Sequence, residues 1–245
     1  MADKIKVGAV SYLNTKPLLY GIERSAVMDR IELSLEYPSE LARKLAEGTV
    51  DLALMPVAAI NDIEGAKVVS DYGIAADGKV ASVCIYSQVP IQEVKSVYLD
   101  YQSRTSVRLA QLLFEKYWKQ EVQFVPATEH FIDYIQGDRA GVIIGDRALK
   151  QLTNFEYVYD LATVWKDMTG LPFVFAAWVA TRELPADFIE QFNGANATGL
   201  QHLEEIVSAY PFPYFDLMDY YTNYIHFHLD ADKRKGLDLF LSMIR

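Results

Sequence analysis

Short apolar runs of strand length alternate along this chain with segments whose apolar positions recur at helical spacing. Alternation of that kind is the pattern of βαβ units, in which strands buried on both faces lie between layers of helices. Ile5 to Val10 reads as a first strand, and Lys16 to Arg24 as a helix with Pro17 in its first turn, where a missing N–H costs nothing. Ile31 to Tyr37 reads as a second strand. Ser39 then caps a helix in which Leu41, Leu45 and Ala46 recur at helical spacing, and Gly48 ends it. Asp51 to Met55 is the third strand, stopped by Pro56. Farther on, strands are predicted at Val80 to Tyr86, Ser96 to Asp100, Val122 to Pro126, Gly141 to Gly145 and Phe173 to Ala180. Helices are predicted at Ser106 to Trp118, His130 to Gln136, Asp146 to Gln151, Pro185 to Ala209 and Asp230 to Ile244.

The segments Val80 to Tyr86 and Phe173 to Thr181 bracket a block with its own βαβ alternation. A chain that leaves one lobe near residue 86 and returns near 174 joins its lobes by two strands, which makes a hinge with a cleft beside it. The expected fold is a two-lobed α/β architecture, each lobe a mostly parallel sheet covered by helices. Residues 1–86 and 174–245 would form lobe I, and residues 87–173 lobe II.

With 245 residues, 51% of them hydrophobic, the chain can bury a substantial core. Its formal charge of −10 would repel a phosphate backbone, and no cluster of Lys and Arg offsets that, so nucleic acid is not expected as a partner. No apolar run approaches the roughly 20 residues of a membrane span, so no membrane association is expected either. The first residues run at once into a strand, leaving no room for a signal peptide, and Cys84 is the sole cysteine. A cytoplasmic protein is therefore expected, with Cys84 a small core residue between Val83 and Ile85 rather than a nucleophile.

Open parallel sheets bind ligands outside the carboxyl ends of their strands, where the N–H groups of the following helix face an anion. Three polar turns of this kind stand out. The first is Ser11-Tyr12-Leu13-Asn14-Thr15-Lys16-Pro17, in which Asn14 and Thr15 can cap a helix or bond a ligand. The second is Leu99-Asp100-Tyr101-Gln102-Ser103-Arg104-Thr105-Ser106, rich in hydroxyls and with Arg104 as a fixed charge suited to a carboxylate. The third is Ile144-Gly145-Asp146-Arg147-Ala148, where the glycine lets backbone approach a ligand and Asp146 is read chiefly as a helix cap, with an acid or base role as the alternative.

The first of these turns resembles the N-terminal signature of the chorismate dehydratases. Asp51-Leu52-Ala53-Leu54-Met55-Pro56-Val57, Ser103-Arg104-Thr105-Ser106, Gly145-Asp146 and the stretch from Tyr159-Asp160-Leu161 through Trp165 to Thr169–Phe175 are similar to the same family in the same order. The resemblance runs from about residue 4 to 245, and the sequence departs from it at Ala58-Ala59-Ile60 and Asp100-Tyr101-Gln102. It implies a periplasmic-binding-protein-like fold of the second type, used as a lyase that dehydrates chorismate to 3-[(1-carboxyvinyl)oxy]benzoate, the first step of futalosine-dependent menaquinone biosynthesis. No metal or organic cofactor is implied. The expected catalytic residue is Asn14. Ser11, Tyr12, Thr15 and Ser82 are expected to bind substrate, together with Ser103, Arg104, Thr105, Ser106, Gly145 and Asp146.

Two other readings stand beside this one. A 1,4-dihydroxy-6-naphthoate synthase would share the fold class but open with a different motif. A non-catalytic binding protein for a small aromatic carboxylate would carry a signal peptide as a transporter's receptor, or a helix-turn-helix segment as a regulator. His226 and His228 with Asp230 and Asp232 make a weak metal pattern, and His130 a weak catalytic candidate. The aromatics from Tyr210 to Phe215, with Tyr220, Tyr221 and Tyr224, read as core or lobe packing. Oligomeric state leaves no mark on the sequence.

Overall fold

The structure is a computed structural model that describes residues 4–36 and 38–245, with the side chains of Pro38 and Ser39 left out. Tyr37, expected to end the second strand, and the cap expected from Ser39 lie outside the described residues. The chain lays down β1 (Ile5–Ala9), β2 (Ile31–Leu35), β3 (Leu52–Pro56) and β4 (Lys67–Ala76) in one sheet. It then builds a second sheet from β5 (Val83–Ser87), β6 (Ser96–Leu99), β7 (Gln123–Pro126), β8 (Arg139–Ile144) and β9 (Tyr157–Asp160). β10 (Phe173–Ala180) and β11 (His226–His228) return to the first. The orders are β11-β4-β10-β3-β1-β2 and β7-β6-β8-β5-β9.

Both sheets are mixed. β1 runs parallel to β2 and β3, and β6 parallel to β7 and β8. β10 is antiparallel to β3 and β4, and β5 antiparallel to β8 and β9. β5 and β10 are the strands that follow a change of sheet. The expected "mostly parallel" sheets thus give way to mixed ones, because an apolar run such as Phe173 to Ala180 is buried on both faces whichever way it points. β5, expected as the last strand of the first lobe, is a central strand of the second sheet, so the change of sheet falls between Ala76 and Val83.

The helices are α1 (Lys16–Glu23), α2 (Pro38–Ala46), α3 (Thr105–Leu113), α4 (Gly145–Gln151), α5 (Leu161–Thr169), α6 (Ala186–Gly199), α7 (Leu203–Ala209), the single turn α8 (Leu217–Asp219) and α9 (Ala231–Met243). The helix expected over 185–209 is two, and it breaks where α6 meets α1. A Cβ on Gly199 would lie 1.8 Å from the Pro17 carbonyl oxygen, and one on Gly21 would lie 1.9 Å from that of Ala195. The two helices touch through their backbones, which only glycine permits. The helix expected over 106–118 ends as a π-helical turn at Phe114–Trp118, and the one expected over 130–136 is a 3-10 turn at Phe131–Tyr134.

β4 escapes the hydrophobic pattern because Ser70, Asp71 and Gly73 look like turn residues. In the sheet their polar groups are met by distant partners: buried Ser70 donates its hydroxyl to Asn193 Oδ1 at 2.6 Å, and Arg234 pairs with Asp71 at 2.8 Å. β9, α5 and β11 likewise lie outside the elements that the hydrophobic pattern predicts. The two changes of sheet are tied together by one carboxylate. Asp160 Oδ2 accepts the N–H groups of Val80 and Ala81 at 2.9 and 2.7 Å, while Oδ1 accepts those of Ala162 and Thr163 at the start of α5. Ala81 is held there at φ +60°, a conformation that costs a non-glycine residue about 1 kcal/mol.

Candidate active site

The turns after β1, β6 and β8 converge with the β4–β5 connection on one cavity of about 630 Å³, including the part open to solvent. Its polar lining comes from Tyr12, Asn14 and Thr15, from Gln102, Ser103, Thr105 and Ser106, and from Ser82 and Gly145. Leu54, Pro56, Ile74 and Phe175 contribute an apolar wall from the first sheet. The lining residues include no Lys, Arg, Asp or Glu, so an anion held here would rest on neutral donors and on the field of the surrounding backbone.

Asn14 is the exceptional side chain. Its Oδ1 is buried without a hydrogen-bond partner, the one such atom among the described residues. Buried acceptors are nearly always satisfied, and leaving one orphaned costs about 1–3 kcal/mol. The residue before it is clamped on both polar backbone atoms: Leu13 donates its N–H to Asp146 Oδ1 at 3.3 Å, and its carbonyl accepts from Tyr221 Oη at 2.9 Å. Tyr12 donates to Gln102 Oε1 at 3.3 Å, and burial pushes its phenol up to about 12, so it stays protonated.

The other hydroxyls divide into spent and free. Thr15 does not cap α1; its Oγ1 donates back to the carbonyls of Val10 and Tyr12, both at 2.8 Å. Thr105 Oγ1 accepts the N–H of Ala58 at 3.2 Å, which joins the second sheet's layer to the first. Ser103 Oγ accepts the N–H of Ser106 at 3.1 Å and so closes the first turn of α3. Ser82 Oγ accepts from Tyr220 Oη at 2.7 Å, and its carbonyl accepts the N–H of Gly145 at 2.7 Å. Gly145 holds φ +63°, in the region that favours glycine.

Three expected site residues lie elsewhere. Arg104 is outside the lining; it stands at the N-cap of α3, and its exposed guanidinium sits 3.9 Å from Asp62. Ser11 is exposed and accepts from Lys16 Nζ at 3.0 Å. Asp146 neither lines the cavity nor caps α4; its carboxylate, which burial pushes above the ordinary range, reaches across to Leu13. His130, at φ +66°, is exposed and away from the cavity. His226 is half-buried in β11, with burial lowering its imidazole, and His228 packs its ring on Tyr72. Tyr220 and Tyr221 are buried, whereas Tyr210 and Tyr214 are exposed.

Sequence reasoning missed the support beneath the second turn. Asp100, wholly buried, accepts from Arg147 Nη2 at 2.7–2.8 Å and from the N–H groups of Gln102 and Ile144. Arg147 Nη2 also reaches Gln102 Oε1 at 3.0 Å, which places that side chain at the cavity edge. The signal was present as an acidic residue directly after one strand and an arginine in the first turn of the helix that follows another, but their pairing is a tertiary fact. Burial pushes the Cys84 thiol well up, as befits a core residue.

The model of a family described as menaquinone biosynthesis matches residues 5–245. A chorismate dehydratase of Thermus thermophilus is 27% identical over 96% of this chain and 93% of its own length. One from Campylobacter jejuni is 30% identical over 69% of this chain and 64% of its own. Among solved structures, a protein of Archaeoglobus fulgidus has a TM-score of 0.74 at 16% identity, covering 98% of this chain and 96% of its own. A Candida albicans protein with the generic periplasmic binding protein fold has 0.66 at 15%, covering 97% and 90%. The alkanesulfonate-binding protein SsuA of Xanthomonas axonopodis, bound to MOPS, has 0.66 at 12%, covering 98% and 93%. These likenesses establish a two-lobed periplasmic-binding-protein-like fold. Among the described residues no helix is long and apolar enough to cross a membrane.

Proposed function

This chain belongs to the menaquinone biosynthesis family, and on that premise we propose that it is a chorismate dehydratase, removing water from chorismate to leave 3-[(1-carboxyvinyl)oxy]benzoate. The observation that carries the reading is the orphaned Oδ1 of Asn14 beside a cavity of neutral donors. Chorismate as a dianion presents many acceptors and one hydroxyl donor, the group that departs. An acceptor left unmet in the protein matches that single donor, while hydroxyls and the Asn14 amide N–H groups match the carboxylates.

Dehydration requires a base for the proton on the ring carbon bearing the enolpyruvyl ether, and departure of the hydroxyl from its neighbour. No carboxylate or imidazole lines the cavity, and an amide has no usable basicity near neutral pH. The enolpyruvyl carboxylate of the substrate serves as the base. The C–H electron pair becomes the new ring double bond, the C–O bond breaks, and the hydroxyl leaves as water with the proton that the enolpyruvyl carboxyl has taken up, which returns that group to its carboxylate form. Aromatisation drives the step, and the residues around the cavity position and polarise. Asn14 fixes the carboxylate and the hydroxyl relative to each other, with Ser82, Thr15 and the hydroxyls of Ser103, Thr105 and Ser106 around the substrate.

Lobe I, on this reading, holds the first sheet and lobe II the second, opening about the crossings that Asp160 ties together. The partner on this reading is a small molecule, and a cytoplasmic setting fits the lone cysteine. Incubation of the purified protein with chorismate, followed by ultraviolet absorbance and mass, tests the reading: an aromatic product 18 mass units lighter is expected, by the loss of water. Chorismate that binds and returns unchanged would make the protein a receptor.

A further inference from the structure

Asn14 and Ser82, which face one cavity from different connections, are each held by one of two consecutive tyrosines. Tyr220 Oη donates to Ser82 Oγ at 2.7 Å, and Tyr221 Oη donates to the Leu13 carbonyl, the acceptor of the peptide that leads into Asn14, at 2.9 Å. Both rings are buried, with centroids 5.6 Å apart. Adjacent residues of an α-helix point about 100° apart, so two neighbours seldom serve one site. Here they begin a π-helical turn, Tyr220–Tyr224, and irregular turns of that kind recur at functional sites.

We propose that Tyr220 and Tyr221 are a pair of positioning residues that set the hydroxyl of Ser82 and the amide of Asn14 in register across the cavity. The inference rests on the reading above and adds a specific duty. A serine that accepts from a tyrosine has one lone pair engaged and its own proton free. Ser82 Oγ has no other hydrogen bond among the described residues, its N–H is turned into the tight Val80 contact at 2.7 Å, and its carbonyl takes the Gly145 N–H. Its proton and one lone pair remain, the proton can be given only away from Tyr220, and the cavity is where the hydroxyl lies open. Tyr220 therefore makes Ser82 a donor toward the substrate, while Tyr221 holds the plane of the Leu13–Asn14 peptide from which the amide projects.

The test compares Tyr220→Phe and Tyr221→Phe with the unaltered protein, each lacking one hydroxyl. A kcat lower by roughly 10-fold is expected for each, with KM and the affinity for the aromatic product within about threefold, the mark of lost orientation rather than lost binding. In a Ser82→Ala background, read by single turnovers with enzyme in excess, Tyr220→Phe should cost nothing further, because its effect runs through that hydroxyl. Unchanged kcat in both variants, a KM that rises in step with the loss, or a full additional loss in the Ser82→Ala background would overturn the proposal. An unaltered protein that leaves chorismate intact sinks the reading itself; an active one matched by Tyr220→Phe and Tyr221→Phe sinks the inference alone.

Discussion

Asp146 Oδ1 accepts the backbone N–H of Leu13 at 3.3 Å, so a carboxylate on α4 reaches the turn after β1 one residue before Asn14. The contact joins the layers of the two sheets. Burial, the larger influence, raises this carboxyl above its ordinary value, against the Leu13 N–H and the charges of Lys150 and Lys16. A raised acid takes up its proton more readily folded than unfolded. Its contribution to stability is therefore present below the unfolded value of about 3.9 and is lost as pH rises through the folded one. Asp146→Asn keeps an acceptor and removes the charge. Its thermal midpoint at pH 7 is expected at or above that of the unaltered protein, with the gap closing as pH falls toward 4. A midpoint well below would mean that the charge itself holds the turn.

Asn14→Ala removes the orphaned acceptor and the amide donors together. Turnover of chorismate is expected to fall by at least ~100-fold, the scale of a lost polarising contact, while circular dichroism shows the fold intact. Near-normal kcat would take Asn14 out of the mechanism.

Arg104 lies outside the cavity with an exposed side chain 3.9 Å from Asp62. Exposed pairs of that length contribute ~0–1 kcal/mol. Arg104→Ala is expected to leave kcat/KM for chorismate within about threefold, and a loss of two orders of magnitude would mean that the arginine meets substrate.

Arg147 is the sole side-chain partner of the buried Asp100 among the described residues, and it also holds Gln102. Arg147→Met strands the carboxylate, for which a destabilisation of about 3 kcal/mol is expected in urea unfolding. KM should rise as Gln102 loses its anchor. Stability within 1 kcal/mol of the unaltered protein would show that backbone N–H groups suffice for Asp100.

Elements with a continuous apolar core were legible in the chain itself. Phe173 to Ala180 is a strand over the range its side chains predict, and the polar turns after β1, β6 and β8 do meet at one cavity. β4 was hidden because Ser70, Asp71 and Gly73 are acceptable in a strand only when Asn193 and Arg234 stand opposite.

The sequence by itself determined the alternation of strands and helices, the family, and the polar residues of the turns after β1, β6 and β8, since each is a property of neighbours along the chain. Only the tertiary structure decided the strand directions, that Arg104 faces outward and Asp146 grips Leu13, and that Tyr220 and Tyr221 reach Ser82 and Leu13. Those contacts join residues up to 208 positions apart. Such pairings depend on how two separately formed sheets dock, and local spacing carries no record of that.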